Sequence, residues 1–306
     1  MPNNLSWTYD LAAKALGAFS RMTSERYAEI ARTSGITESS DSLLAQYAVG
    51  FAPDPLGLAH IFKRVPYHNP EQFQADFKAA VQRGWLAELR DGAYGPTRQA
   101  QDYVARLVQA GCEFTAGLST LTPAQLSRLE TLLDRVNHAA LALPDLAETP
   151  ALRMSRRFNR PDLPALYRVR RQLVDLLAFR DDAHVAAWTQ YEVDGYAWEA
   201  FTLLWRGEAE TPEELAARLN LRAYTAEDYA RALARLQGRG WLRQAEGRFA
   251  LTPDGARLRA QAEDTTDRYY NAAFMALTHS ELAELRSLLA ALGQALEAAA
   301  EPALAR

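Results

Sequence analysis

Apolar residues recur at helical spacing along much of the chain, and the pattern is cleanest in the second half. Trp198, Phe201, Leu204 and Trp205 fall at i, i+3, i+6 and i+7, one face of a helix that Gly207 interrupts. Thr211-Pro212-Glu213-Glu214 then reads as a helix start. Threonine caps, proline occupies the first turn, and the carboxylates meet the positive end of the helix dipole. Leu215 and Leu219 are the inward positions of that short helix. Thr225-Ala226-Glu227-Asp228 opens another helix in the same way, with Tyr229, Leu233 and Leu236 at i, i+4 and i+7, and Gly238 and Gly240 closing it. Trp241-Leu242-Arg243 and Phe249-Ala250-Leu251, on either side of Glu246-Gly247-Arg248, predict two short strands around a glycine turn. A long helix follows from Thr252-Pro253-Asp254-Gly255, and a further cap at Thr278 starts an alanine- and leucine-rich terminal helix.

The same landmarks occur earlier, at an offset near 156. Arg83-Gly84-Trp85-Leu86 returns as Arg239-Gly240-Trp241-Leu242, and the run from Leu121 to Leu133 returns as the run from Leu277 to Leu289. Between the anchors the match is loose, with one extra residue in the first copy near Ala93. In that copy, Leu56 to Phe62 stands for the short helix and Asn69-Pro70-Glu71 caps the next. Trp85 to Tyr94 makes the hairpin around Asp91-Gly92, and Leu121-Thr122-Pro123 opens the terminal helix. Helix, short helix, helix, two-stranded wing, long helix is the order of a winged helix-turn-helix unit. The expected fold is mainly α, with two such units: 1–141 and 165–306, joined by a Pro/Arg-rich linker over 142–164 that carries Pro144, Pro150, Pro161 and Pro164.

The turn into the wing (Gly240-Trp241-Leu242), the start after it (Leu251-Thr252-Pro253-Asp254-Gly255) and the terminal helix from Leu277 resemble the MarR-type winged-helix regulators. The resemblance covers Leu43 to Leu133 and Trp198 to Ala298. The first copy departs from the pattern between Gly50 and Pro55, where proline-rich sequence replaces a clean turn. The resemblance implies an intramolecular pseudo-dimer in which the terminal helices of both copies, near 121–140 and 277–298, pack with the N-terminal helices into a helical body. Further dimerisation is left open. The resemblance also implies a DNA-binding transcriptional regulator able to take a small aromatic or lipophilic ligand between body and winged units.

Bulk composition adds limits. A length of 306 residues fits two domains of about 150 each, and 48% hydrophobic with 24% charged residues is ordinary for a buried core. One cysteine, Cys112, excludes an internal disulfide and fits a reducing, cytoplasmic setting. The start MPNNLSWTYD lacks the pattern of a secretory signal, and no run approaches the roughly 18 apolar residues of a membrane span.

Charge bears on DNA. The chain is −4 overall, so only a local basic patch would attract phosphate. On the presumed reading helix of the second copy, Arg231 and Arg235 follow the cap Thr225, with Arg243 and Arg248 on the wing. Glu227 and Asp228 sit at the helix tip, so the arginines are equally placed for pairing along a solvated face. The first copy offers Gln72 and Lys78. Arg153, Arg156, Arg157, Arg160, Arg168, Arg170 and Arg171 stand against one acid, Asp162, a local +6 that leaves −10 for the remainder. That segment reads either as a phosphate footprint or as arginines paired with acidic faces.

No enzyme signature is present: no G-x-S-x-G, phosphate loop or H-E-x-x-H, and no catalytic, cofactor or metal set is expected. Histidines 60, 68, 138, 184 and 279 read as surface or cap residues, and Asp181-Asp182 with His184 as a helical surface. Trp188, Tyr191, Tyr269 and Tyr270, with Tyr196, Trp198 and Phe274, would line a ligand site or make plain core. Two functions compete. One is a regulator that binds double-stranded DNA. The other is a winged-helix scaffold that no longer reads DNA and binds a protein or a lipophilic ligand.

Overall fold

The computed structural model describes residues 5–90, 92–146 and 148–304; Asp91, read above at the first hairpin turn, lies outside them. Among the described residues the chain is mostly helical, with two small antiparallel hairpins. In order it runs α1 (Ser6–Thr33), α2 (Ser39–Phe51), α3 (Leu58–Arg64), α4 (Pro70–Gln82), β1 (Leu86–Arg90), β2 (Ala93–Pro96), α5 (Arg98–Ala116) and α6 (Pro123–Leu141). It continues with α7 (Pro150–Arg156), α8 (Ala165–Thr189), α9 (Gly195–Trp205), α10 (Pro212–Arg218), α11 (Ala226–Gly238), β3 (Leu242–Ala245), β4 (Arg248–Leu251), α12 (Pro253–Ala272) and α13 (His279–Leu304).

The order from α2 to α6 recurs from α9 to α13, and local chemistry recurs with it. Thr97 Oγ1 donates to the carbonyls of Gly84 and Trp85 at 2.7 and 3.2 Å and accepts from the Ala100 amide. Thr252 makes the same three bonds with Gly240, Trp241 and Gly255. Gly84 and Gly240 both hold positive φ, +81° and +76°, where a side chain would clash with its own backbone. Each hairpin also gains a backbone link from the segment before its short helix: Tyr94 exchanges bonds with Leu56, and the Phe249 amide donates to the Glu210 carbonyl.

The chain forms two compact units. The second consists of Leu58–Asp76 with His184–Thr266, and the first of the remaining described residues. The compact units therefore cut across the boundaries read from the sequence, because α3 and the first turns of α4 pack with the second half.

In the first unit α1 lies along α13, with Ala12, Ala15, Ala18 and Phe19 buried on one side and Leu285, Leu289, Leu292 and Leu296 on the other. Small side chains let the two helices approach closely. α6 contributes Leu129, Leu132, Leu133 and Val136. Arg128 forms ion pairs with Glu284 and Glu281, and Arg135 with Glu281. Asn137 of α6 donates to the backbone and side chain of Gln172 on α8, and Arg168 of α8 pairs with Glu130 at 2.7 Å.

The stretch 142–164 is more than a connection, since α7 buries Ala151, Leu152 and Met154. Its first amides, of Ala151 and Leu152, are capped by Asp182 at 2.9 and 2.8 Å. Asp182 is therefore buried, not on a helical surface as the sequence suggested: a carboxylate at a helix amino end satisfies donors that have no intrahelical partner.

The second unit has its own core of Trp188, Trp198, Phe201, Leu215, Tyr229, Leu233, Leu236 and Phe249.

Candidate nucleic-acid interface

Local sequence positions the second unit's surface. Thr211 caps α10 by accepting from the Glu214 amide, and a short 3-10 turn, Asn220–Arg222, leads to Ala223 at φ +59°. α11 then starts with a reciprocal cap in which Thr225 accepts from the Asp228 amide while Asp228 accepts from Thr225. Thr225 and Asp228 are thereby used in positioning the helix. Burial of Tyr229, Ala232, Leu233 and Leu236 fixes one face, so Glu227, Arg231, Arg235 and Gln237 face water.

The arginines of that surface are exposed but mostly tethered. Arg231 pairs with Glu227 at 2.9 Å and with Asp228. Arg235 meets Asp194 and the Tyr196 hydroxyl, both at 2.8 Å. Arg239 donates to the carbonyls of Tyr191 and Glu192 and lies over the Trp241 ring. On the β3–β4 hairpin Arg248 pairs with Glu210, while Arg243 is exposed and has no partner among the described residues. From Arg218 to Arg257 there are eight arginines and four carboxylates, a local +4 in a chain of −4. Exposed ion pairs are worth about 0–1 kcal/mol, so these tethers cost little to exchange for phosphate.

Sequence reasoning missed how the helix-turn regions of the two halves meet inside the second unit. The Asn69 amide donates to the Arg222 carbonyl at 2.9 Å, and Asn69 Nδ2 to the Ala223 carbonyl at 3.1 Å. Asn69 Oδ1 meanwhile caps α4 through the Glu71 amide. The Tyr224 hydroxyl donates to the His68 carbonyl at 3.2 Å. Arg222 holds Glu199 through two bonds of 2.8 and 2.6 Å, reaches the His68 ring at 3.0 Å and covers the Tyr67 ring. Gly195 is required here, because a Cβ would stand 2.1 Å from the Pro66 carbonyl oxygen. Burial and the adjacent Arg222 cation lower the His68 pKa to about 4, and the ring is half-buried. Burial raises Tyr224 to about 12. His68 and Tyr224 are 156 residues apart, the repeat offset, and that is the signal that could have drawn attention to them.

The remaining sequence-read residues disperse. Gln72 bonds Asp76 at 3.0 Å, and Lys78 is exposed without an ion pair among the described residues. Arg156 pairs with Asp134, Arg157 with Asp54, Arg160 with Asp162, Arg168 with Glu130, and Arg171 lies 3.8 Å from Asp175. Arg170 covers Tyr167, and Arg153 is exposed. The +6 cluster is thus largely neutralised by carboxylates.

The aromatics do not converge on one place. Trp188 and Tyr191 stack on Trp198 in the second unit's core, whereas Tyr270 stacks on Phe179 in the first unit and Tyr269 lies under Arg268. Among the described residues no group of acids, histidines and cysteines is arranged to hold a metal, and no helix is long and apolar enough to cross a membrane.

Residues 168–302 match a family described as "Helix-turn-helix family", so this stretch carries a helix-turn-helix domain. No curated protein and no solved structure matches the chain.

Proposed function

We propose that the chain is a DNA-binding transcriptional regulator: two MarR-like winged units in one polypeptide, paired as an intramolecular pseudo-dimer and working in the cytoplasm. The copies are 1–141 and 165–306, joined by 142–164. The repeated Thr97 and Thr252 bonds support duplication. So does the exchange in the first unit, where α1 of one copy lies on α13 of the other and α8 meets α6. Arg128 and Glu284 are 156 residues apart and ion-paired, the behaviour of equivalent positions facing each other across a two-fold.

The observation that carries DNA binding is the exposed arginine surface of α11 and its wing, with Arg231, Arg235, Arg243 and Arg248 on a helix-turn-helix. A reading helix lies in the major groove and a wing tracks the phosphates. The arginines of 153–171 lie in the first unit and not on α11 or its wing, so they are left out of this reading surface.

The reading also becomes one-sided. Through the bond from the Asn69 amide to the Arg222 carbonyl, the caps Asn69 and Thr225 are under about 20 Å apart, given at most ~3.8 Å per residue. Two half-sites on successive turns need about 34 Å. One head therefore reads at a time, and the second copy, with the richer arginine surface, is that head. Footprinting on a selected duplex is expected to show protection of a single half-site. Equal, two-fold symmetric protection would contradict it.

The acidic partners of Arg231, Arg235 and Arg248 favour a second reading, a scaffold that binds a protein or lipophilic ligand in place of DNA. It predicts no duplex binding even at low salt, together with a thermal shift on adding an aromatic ligand.

A further inference from the structure

A polar cleft of about 180 Å³ opens in the first unit where α6, α7, α8 and the stretch Asn159–Leu163 meet. Four arginines line it, Arg156, Arg160, Arg168 and Arg171, with Glu130 and Asp134. Its walls include part of the 142–164 segment, which occurs once in the chain, so the cleft has no repeat counterpart.

The hydrogen bonding is incomplete in a specific way. Arg168 is spent, its fork on Glu130 and its Nη1 on the Leu163 carbonyl at 2.6 Å. The other three each keep one edge occupied. Arg156 gives Nη2 to Asp134; Arg160 gives Nε and Nη2 to Asp162; Arg171 gives Nε to Asn159 and Nη2 to the Ser155 carbonyl. In all three, Nη1 donates no hydrogen bond among the described residues, and that of Arg156 is buried, in an ion pair with Asp175 at 3.7 Å. Arg156 and Arg171 are only 19% and 12% exposed and Arg160 is 59% exposed, so of the three donors it is that of Arg156 which is closed to water. A buried guanidinium donor without an acceptor is costly, and a bound ion is one of the few things that repay it. Asp175 does not fill that role, since burial raises its carboxyl and Ser155 and Asn159 already occupy it at 2.5 and 2.6 Å.

We propose that this cleft binds a small multivalent oxyanion, an inorganic phosphate or a compact polycarboxylate, through the unfilled Nη1 edges of Arg156, Arg160 and Arg171. Charge-assisted bonds from a planar fork suit both chemistries. A cleft of this size admits such an ion. The inference does not depend on DNA reading.

The test is isothermal titration of the full chain with sodium phosphate and with citrate, ionic strength held constant with sodium chloride. Saturable one-to-one binding is expected, weakened about tenfold or more in Arg160→Gln and Arg156→Gln and unchanged in Arg153→Gln. Among the described residues the Arg160 side chain bonds only the exposed Asp162, so its variant decides the matter even if Arg156→Gln misfolds. Heats that never saturate, wild-type affinity in Arg160→Gln, or an equal loss in Arg153→Gln would overturn the assignment. A loss of duplex-DNA affinity in Arg160→Gln in proportion to the loss for phosphate would also overturn it, by making the backbone phosphate the occupant.

Discussion

His68 carries a pH dependence whose sign follows from its surroundings. Burial and Arg222 disfavour its protonated form and lower its pKa from 6.5 to about 4. Above pH 6.5 the ring is neutral both in the packed and in the released state, and the contact is intact. As the pH falls from 6.5 to 4, the released state takes up a proton that the packed state refuses, so the contact weakens through that window. An imidazole NMR titration is expected to give a midpoint near 4, and His68→Gln to remove this part of the acid sensitivity; a midpoint near 6.5 would mean that the ring is not packed on Arg222.

Arg259 is the other telling residue. It lies in the long helix after the wing, is 1% exposed, covers the rings of Trp198 and Trp205, and bonds Thr202 and Glu263 at 3.1 and 2.6 Å. Arg259→Ala is expected to cost about 2–4 kcal/mol by urea denaturation. Neither residue was legible, because their neighbours come from distant parts of the chain.

At the scale of elements, what local chemistry specifies was readable. The caps at Thr211, Thr225, Thr252 and Thr278, the glycine turns and the inward face of α11 all occur where the spacing puts them. What spacing cannot encode is docking. α7 arose in a proline-rich stretch because Asp182 caps it, and the Leu58–Asp76 segment joined the core of the other half. Two glycine variants separate the two kinds of information. Gly195→Ala pushes a Cβ into the Pro66 carbonyl and is expected to destabilise the chain by about 2 kcal/mol or more and to speed hydrogen exchange at the Asn69 amide. Gly293→Ala, in the interior of α13 with nothing within 4 Å of its Cβ, is expected to stabilise by about 0.5–1 kcal/mol. Unaltered Asn69 exchange in the first variant would mean that the turn-to-turn contact does not persist in solution.

For the whole molecule, the ion pairs between α6 and α13 tie the first half of the chain to its last helix. The Arg135 hydrogen bond holds the Glu281 pKa down at about 2. A carboxylate depressed in this way adds stability that is present above its unfolded value of 4.5 and is lost as the pH falls toward 2. Glu281→Gln is therefore expected to flatten the acid limb of thermal stability between those values, read by calorimetry.

The central claim is that α11 and its wing are a DNA-contacting surface. Fluorescence anisotropy on genomic duplex fragments between about 50 and 200 mM salt tests it most directly. The wild-type chain is expected to lose affinity steeply as salt rises. The variant Arg231→Gln/Arg235→Gln/Arg243→Gln/Arg248→Gln is expected to bind more weakly, its log–log salt slope smaller by about one for each phosphate contact removed. Salt-insensitive binding, or a variant with wild-type affinity and slope, would contradict the account.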